Sequence, residues 1–299
     1  MTNQHYGCGW APNHITGFFY PIIDNDPLRS SSLGAGINLS KGTTSAVHIT
    51  PGNHTIDVKI NGKQSEAEIS RWIIRTFLDS YAHEEYRLDV SHTIEMPLSA
   101  GFGTSGSGAL SLSLALKEAM ESNISTEECY TLAHIADAEN KGGLGTVMAE
   151  IAGGLEVRLA FGGPGVGKVE SIPIDQNLQV IILYFGPYTT REALADKSLI
   201  EKVHTYGMTC VNDLLKKPSI ENFLELSQWF VSKIEVAPKN VKNIIKKMSN
   251  KGYVCSMPLF GESVFSIQSK NDAEELSELF KEYSTVIVSA ISNKGPHIC

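Results

Sequence analysis

The run Pro97-Leu98-Ser99-Ala100-Gly101-Phe102-Gly103-Thr104-Ser105-Gly106-Ser107-Gly108 is where this chain is best equipped to hold a ligand. Glycines let a backbone turn and come into contact with a bound group. Where such a run opens a helix, free N–H groups and the helix dipole suit a phosphate chain. No Lys follows the glycines, so this is not a Walker loop. On composition alone, a flexible Gly/Ser loop or a tight helix-packing seam explains it as well. Arg29 and Arg191 are the candidates for gripping a substrate carboxylate, because a guanidinium does so in a bidentate fork. Asp137 and Glu139 lie just before a second glycine turn, Gly142-Gly143-Leu144-Gly145, and each is equally readable as part of a solvated helix face.

The elements that must position these residues are legible from periodicity. Residues 43–49 and 54–60 are β-branched or alternating around Pro51-Gly52-Asn53 and predict a hairpin. Apolar residues at helical spacing predict a helix over 65–81, and alternation predicts a strand over 86–94. A helix over 105–120 follows, and then a second toward Asn140 with Ser125 and Glu128 as a capping box. Residues 155–161 and 178–185 predict strands on either side of a glycine-rich loop at 162–167. Helices are expected at 197–216, 219–233, 238–250 and 272–283, with strands near 254, 264–267 and 286–289. The pattern is α+β. A boundary between two domains, 1–188 and 189–299, is expected where strands give way to helices near 188–196.

Composition narrows the function class. With 299 residues and 42% hydrophobic residues, the chain can bury a large core. A net charge of −8 argues against a nucleic-acid partner, which would call for a basic face. No apolar run approaches the roughly 18 residues of a membrane span, and the first nine residues lack signal-peptide order, so a cytoplasmic protein is expected. Cys8, Cys129, Cys210, Cys255 and Cys299 show no zinc-like spacing and are expected to be reduced thiols. A homodimer is compatible with the sequence.

The pattern P-x-x-x-G-x-G-x-S at 97–105 resembles the phosphate-binding motif of the GHMP kinases, and Pro12-Asn13-His14-Ile15-Thr16-Gly17 resembles a second family feature, P-x-x-H-x-x-G, with one residue fewer between Pro12 and His14. Further stretches, among them Asp26-Pro27-Leu28, Leu33-Gly34-Ala35-Gly36, Gly142 to Gly145, Gly153-Gly154, Phe185-Gly186-Pro187 and Gly261-Glu262-Ser263, are similar to the archaeal pantoate kinase branch of that family. The resemblance implies a two-domain GHMP fold with its active site in the interdomain cleft. It also implies ATP and Mg2+ as cofactors, a hydroxy-acid acceptor and a role in coenzyme A synthesis. It places the nucleotide on Pro97, Ala100, Gly101, Gly103, Thr104, Ser105, Gly106 and Ser107. Ser105 and Asp137 become the magnesium ligands, and His14 a contact to substrate or nucleotide.

Two departures stand out. The related kinases usually carry an aspartate after G-x-G, where this chain has Thr146, and a glycine where it has Ser30-Ser31-Ser32. A threonine does not accept a proton at neutral pH. Either transfer proceeds without a strong base, since it rests mostly on positioning and charge stabilisation, or Glu150, one helical turn beyond Thr146, takes the role. Pantoate is the first substrate expectation, followed by pantothenate and mevalonate 3-phosphate. A GHMP-fold sensor that binds ligand without catalysis is the alternative from a different class.

Overall fold

The computed structural model describes residues 5–53, 55–81, 86–140, 142–175, 177–187, 197–259 and 261–299. Two long strands, β1 (His5–Ile22) and β2 (Ser31–Pro51), pair antiparallel along nearly their whole length. Around them an eight-stranded sheet is completed by β3 (Ile56–Ile60), β4 (Lys63–Gln64), β5 (Tyr86–Ile94), β6 (Leu155–Ala160), β7 (Lys168–Ile172) and β11 (His297–Ile298). The second sheet has three antiparallel strands, with β8 (Gln179–Gly186) between β9 (Glu262–Gln268) and β10 (Thr285–Ala290). The hairpin expected around Pro51-Gly52-Asn53 does not form. β5 pairs with β2 and β3 pairs parallel with β5, so β5 lies between the two strands that sequence proximity would join. The helix α1 (Glu68–Tyr81) supplies the crossover that a parallel pair requires.

Three helices cover one part of the large sheet: α1, α2 (Thr104–Ala119) and α3 (Thr126–Glu139). Helix α2 buries 11 of its 16 residues and exposes none fully, and it comes very close to β1. A Cβ at Gly7 would stand 2.0 Å from the Ala115 carbonyl oxygen, and one at Gly9 2.2 Å from that of Ser111. Small residues on both partners therefore bring the backbones together and fix where the N-terminus of α2 ends up. A short helix, α4 (Thr146–Ala152), follows the second glycine turn. Asn38 on β2 anchors it, donating from Nδ2 to the Ala149 carbonyl at 2.9 Å.

Helices α5 (Lys197–Lys216) and α6 (Ile220–Ile234) pack on β1, whereas α7 (Lys239–Ser249) and α8 (Lys270–Lys281) pack on the second sheet. One hydrophobic core runs from Ile15, Phe18 and Leu33 through Phe223 and Phe230 to Phe265 and Phe280, so the two sheets share it. A separate core lies under α1 to α3. The expected boundary at 188–196 lies outside the described residues. After β10 the chain passes the α4–β6 turn, where Gly154 N–H donates to the Ser292 carbonyl, and pairs as β11 with β1.

The expectation of five reduced thiols is corrected at one pair. Cys8 and Cys299 form a disulfide across the β1–β11 pair, with Cα atoms 5.4 Å apart, inside the range such a bond spans. At a sequence separation of 291, nothing local in the sequence marks them as partners. Cys129, Cys210 and Cys255 are free and buried.

Candidate active site

The loop at 95–103 carries the chain from β5 into α2. Gly103 holds the N-cap with a left-handed backbone (φ 67°) and offers no side-chain cap, so the first N–H groups of α2 are left for an incoming acceptor. The loop is fixed from two sides. His14 N–H donates to the Phe102 carbonyl at 3.0 Å, and a Cβ at Gly261 would stand 2.0 Å from the Ala100 carbonyl oxygen. Ala100 and Phe102 send their side chains into the core, leaving backbone to face a ligand. Thr104 and Ser105 are half-buried, Pro97 likewise, and Gly106 is buried. Ser107 differs from its expected role. It is fully buried, its hydroxyl 2.7 Å from Thr43 Oγ1 and 2.8 Å from the Asn13 amide, so it secures α2 to the sheet.

Asp137, in the last turn of α3, lies buried beside Ser105. Its Oδ1 is buried without a partner. Burial pushes its carboxyl up to about 7, and the Ser105 hydrogen bond only partly opposes this. Glu139, its neighbour in sequence, is exposed. The second glycine turn wraps the carboxylate: a Cβ at Gly142 would meet Oδ1 at 2.0 Å, and one at Gly143 would meet Oδ2 at 3.0 Å. A buried, unpartnered carboxylate oxygen next to a hydroxyl fits a hard cation. Among the described residues no three His, Cys, Asp or Glu side chains cluster to hold a metal alone, so a magnesium here would take its remaining oxygens from a nucleotide and water.

Thr146 opens α4 with its methyl toward Gly103 and Gly106. Glu150, one turn on, is fully buried beneath the same glycines, and Cβ atoms built at Gly103 and Gly106 would stand 2.6 and 2.8 Å from its carboxyl oxygens. Both oxygens lack hydrogen-bond partners. Desolvation, with Asp137 adding repulsion, raises its carboxyl well above the ordinary range. Glu150 is thus buried against the glycine loop, with its carboxyl pushed toward the protonated form.

The far end of the glycine turn meets residues that the sequence reading missed. Arg158 and Glu156 on β6 are 3% and 0% exposed, inside a stretch that reads as a plain apolar strand. A Cβ at Gly145 would lie 2.7 Å from Arg158 Nη1 and 2.5 Å from Ser32 Oγ. Nη1 donates to Ser32 Oγ at 3.0 Å, while Nη2 has no partner. Arg158 Nε lies 3.3 Å from Glu156 Oε2, an ion-pair contact off the hydrogen-bond line. Glu156 Oε1 is 3.1 Å from His14 Nε2, and His14 Nδ1 is 3.4 Å from Thr16 Oγ1. Both ring nitrogens of His14 are therefore occupied by protein groups, which places the residue under the site rather than in contact with a ligand. Desolvation lowers its pKa despite the Glu156 hydrogen bond, so the ring is neutral with its proton on Nε2. Two charged residues on one face of an otherwise apolar strand were the available signal.

Ser31 accepts the Gly162 N–H at 2.9 Å, so the serines standing in place of the family glycine carry specific hydrogen bonds. His134, one turn before Asp137 on α3, is buried with Nε2 unpartnered, against Gly163. Arg29 is 69% exposed and pairs with Asp26. Arg191 lies outside the described residues.

Comparison with known proteins matches this arrangement. Residues 69–154, from α1 through α4, match the GHMP kinases N terminal domain. The chain is 33% identical over 279 residues to a pantoate kinase of Thermococcus kodakarensis, covering 91% of both chains. It is 31% identical to a pantoate kinase of Methanocaldococcus jannaschii, covering 91% of this chain and 96% of that one. Among solved structures, a phosphotransferase related to the CoA biosynthesis pathway superposes with a TM-score of 0.90 at 29% identity over 98% of each chain. Mevalonate diphosphate decarboxylase from Staphylococcus aureus shares the fold, with a TM-score of 0.74 at 14% identity over 99% of this chain and 98% of that one. With a glycine loop at a helix start, a buried Asp137 beside it and this similarity along nearly its whole length, the chain belongs to the pantoate kinase family of the GHMP kinases.

Proposed function

We propose that this chain transfers the γ-phosphoryl group of ATP, with magnesium, to the primary hydroxyl of pantoate, a step of coenzyme A synthesis. Its class, an ATP-dependent phosphotransferase with an alcohol acceptor, follows from the family. One observation carries the choice of substrate. The turn from Gly142 to Gly145 touches Asp137 at one end and Arg158 with Ser32 at the other. Pantoate carries a hydroxyl and a carboxylate at opposite ends of a short branched chain, and such a molecule spans that turn.

In this reading the glycine loop and the first N–H groups of α2 hold the phosphates. Ser105 and Asp137 hold the magnesium, which supplies charge neutralisation at the phosphates when bound. Arg158 holds the substrate carboxylate. Transfer then rests on alignment, with Thr146 shaping the turn and Glu150 filling the space below the loop. Among the described residues Arg158 is the only buried Lys or Arg, which suits one carboxylate better than the two anionic groups of mevalonate 3-phosphate. The two-domain division at 188 and 189 belongs to the same reading, as does a cytoplasmic location, since ATP and the substrate are found there. Among the described residues no helix is long and apolar enough to cross a membrane.

The test is ADP release by the purified chain with ATP and magnesium, offered pantoate, pantothenate and mevalonate 3-phosphate in parallel. Pantoate should give the highest kcat/KM. Binding of ATP and pantoate with no turnover of any of the three would replace the kinase with a sensor.

A further inference from the structure

His14 on β1 and Glu156 on β6 belong to strands that flank β2 on opposite sides, yet their side chains touch at 3.1 Å. They can do so because β2 has no side chains in the way. Gly36 lies opposite Glu156 in register, and a Cβ there would stand 2.1 Å from His14 Nε2. Gly34 lies opposite Arg158, and a Cβ there would stand 2.7 Å from Nη2. The two glycines, at alternate positions of one strand, open a lane across the sheet face. Glu156 sits in the middle of it, one oxygen on His14 and the other against Arg158.

His14 in turn holds the glycine loop through its backbone N–H and the Phe102 carbonyl. Glu156 therefore connects the part of the protein that would hold phosphates to the guanidinium that would hold the substrate carboxylate. An Arg side chain has several rotatable bonds, and its reach alone does not decide where its free Nη2 points. A carboxylate fixed on its inner edge does.

We infer that Glu156 is a positioning residue for the acceptor: through the lane opened by Gly34 and Gly36 it aims Arg158 at the substrate carboxylate and sets that aim relative to the glycine loop. This rests on the reading of the substrate as a hydroxy acid. It predicts a signature that a merely structural carboxylate would not have, a loss confined to one of the two substrates.

The experiment compares Glu156→Gln and Glu156→Asp with the parent chain in steady-state kinetics, using pantoate, its neutral primary amide and ATP. Glu156→Gln should raise KM for pantoate by roughly 10-fold or more, the scale of one misdirected charge-assisted hydrogen bond, with KM for ATP within about twofold. Preference for the acid over the amide should fall by a similar factor. Glu156→Asp keeps the buried charge but is too short to meet both partners, so it should fold and show the same split to a smaller degree. It carries the test if Glu156→Gln does not fold. A parent-like KM for pantoate in Glu156→Asp, or equal losses for pantoate and ATP in either variant, would overturn the assignment. Turnover of pantoate by the parent chain tests the functional reading separately, and only the shift between parent and variants bears on Glu156.

Discussion

Asp137 has the most to gain from a cation. Its carboxyl titrates at about 7 in the fold against 3.8 in the open chain, with burial as the main cause. Between those values the native state holds a proton that the unfolded chain has released, so metal-free stability must fall as pH rises through about 4 to 7 and stay lowered above that. Thermal melts in the presence of a chelator should show a lower midpoint at pH 8 than at pH 5. Asp137→Asn should reduce that drop, while Glu150, shifted the same way, leaves a residue of it. In activity the same substitution should weaken the response to magnesium, whereas Glu139→Gln on the exposed face should not. Ser105→Ala should lower kcat with the melting midpoint little changed. If transfer rests on alignment and not on a base at this position, Glu150→Gln should keep kcat within a few-fold of the parent. A loss of roughly 100-fold, the scale of a missing general base, would return Glu150 to that role.

At the scale of elements, α3 brings Asp137 and His134 to the site and depends on a reciprocal cap. Ser125 accepts the Glu128 N–H at 3.1 Å, while Glu128 Oε2 accepts the Ser125 N–H at 2.7 Å. Ser125→Ala should cost about 1 kcal/mol in denaturant unfolding and leave KM for both substrates unchanged. That cap was legible because its residues are three apart, and so was the glycine run that opens α2. What depended on pairing between distant segments was not. Residues 43–60 read as a hairpin because proximity favours one, yet β5 offered β2 a better partner. Glu156 and Arg158 went unmarked within a strand over 155–161, because only the register opposite Gly34 and Gly36 gives them a lane. Arg158 in particular was missed because its burial depends on that register and not on its own sequence neighbours.

Across the whole molecule, residues after β10 cross from the second sheet to the first, passing the end of α4 on the way. Tyr130 on α3 donates to the Pro296 carbonyl at 3.0 Å, and Trp10 lies against His297 at 5.0 Å between ring centroids. The same stretch thus touches the element carrying Asp137 and the elements carrying Thr146 and His14. Cys8→Ser should destabilise the protein by about 2–4 kcal/mol, seen as a lower denaturation midpoint that adding a thiol reductant to the parent reproduces.

Bonded between Cys8 and Cys299, nearly the whole chain is a covalent ring. A single protease cut anywhere between those two residues would open the ring without dividing it. On a gel without reductant the nicked protein should still migrate as one species, separating into two only when thiol is added. Were the cut to fall between Asp137 and Arg158, the disulfide would keep the two pieces tethered, so these ends of the site would meet again as an intramolecular event.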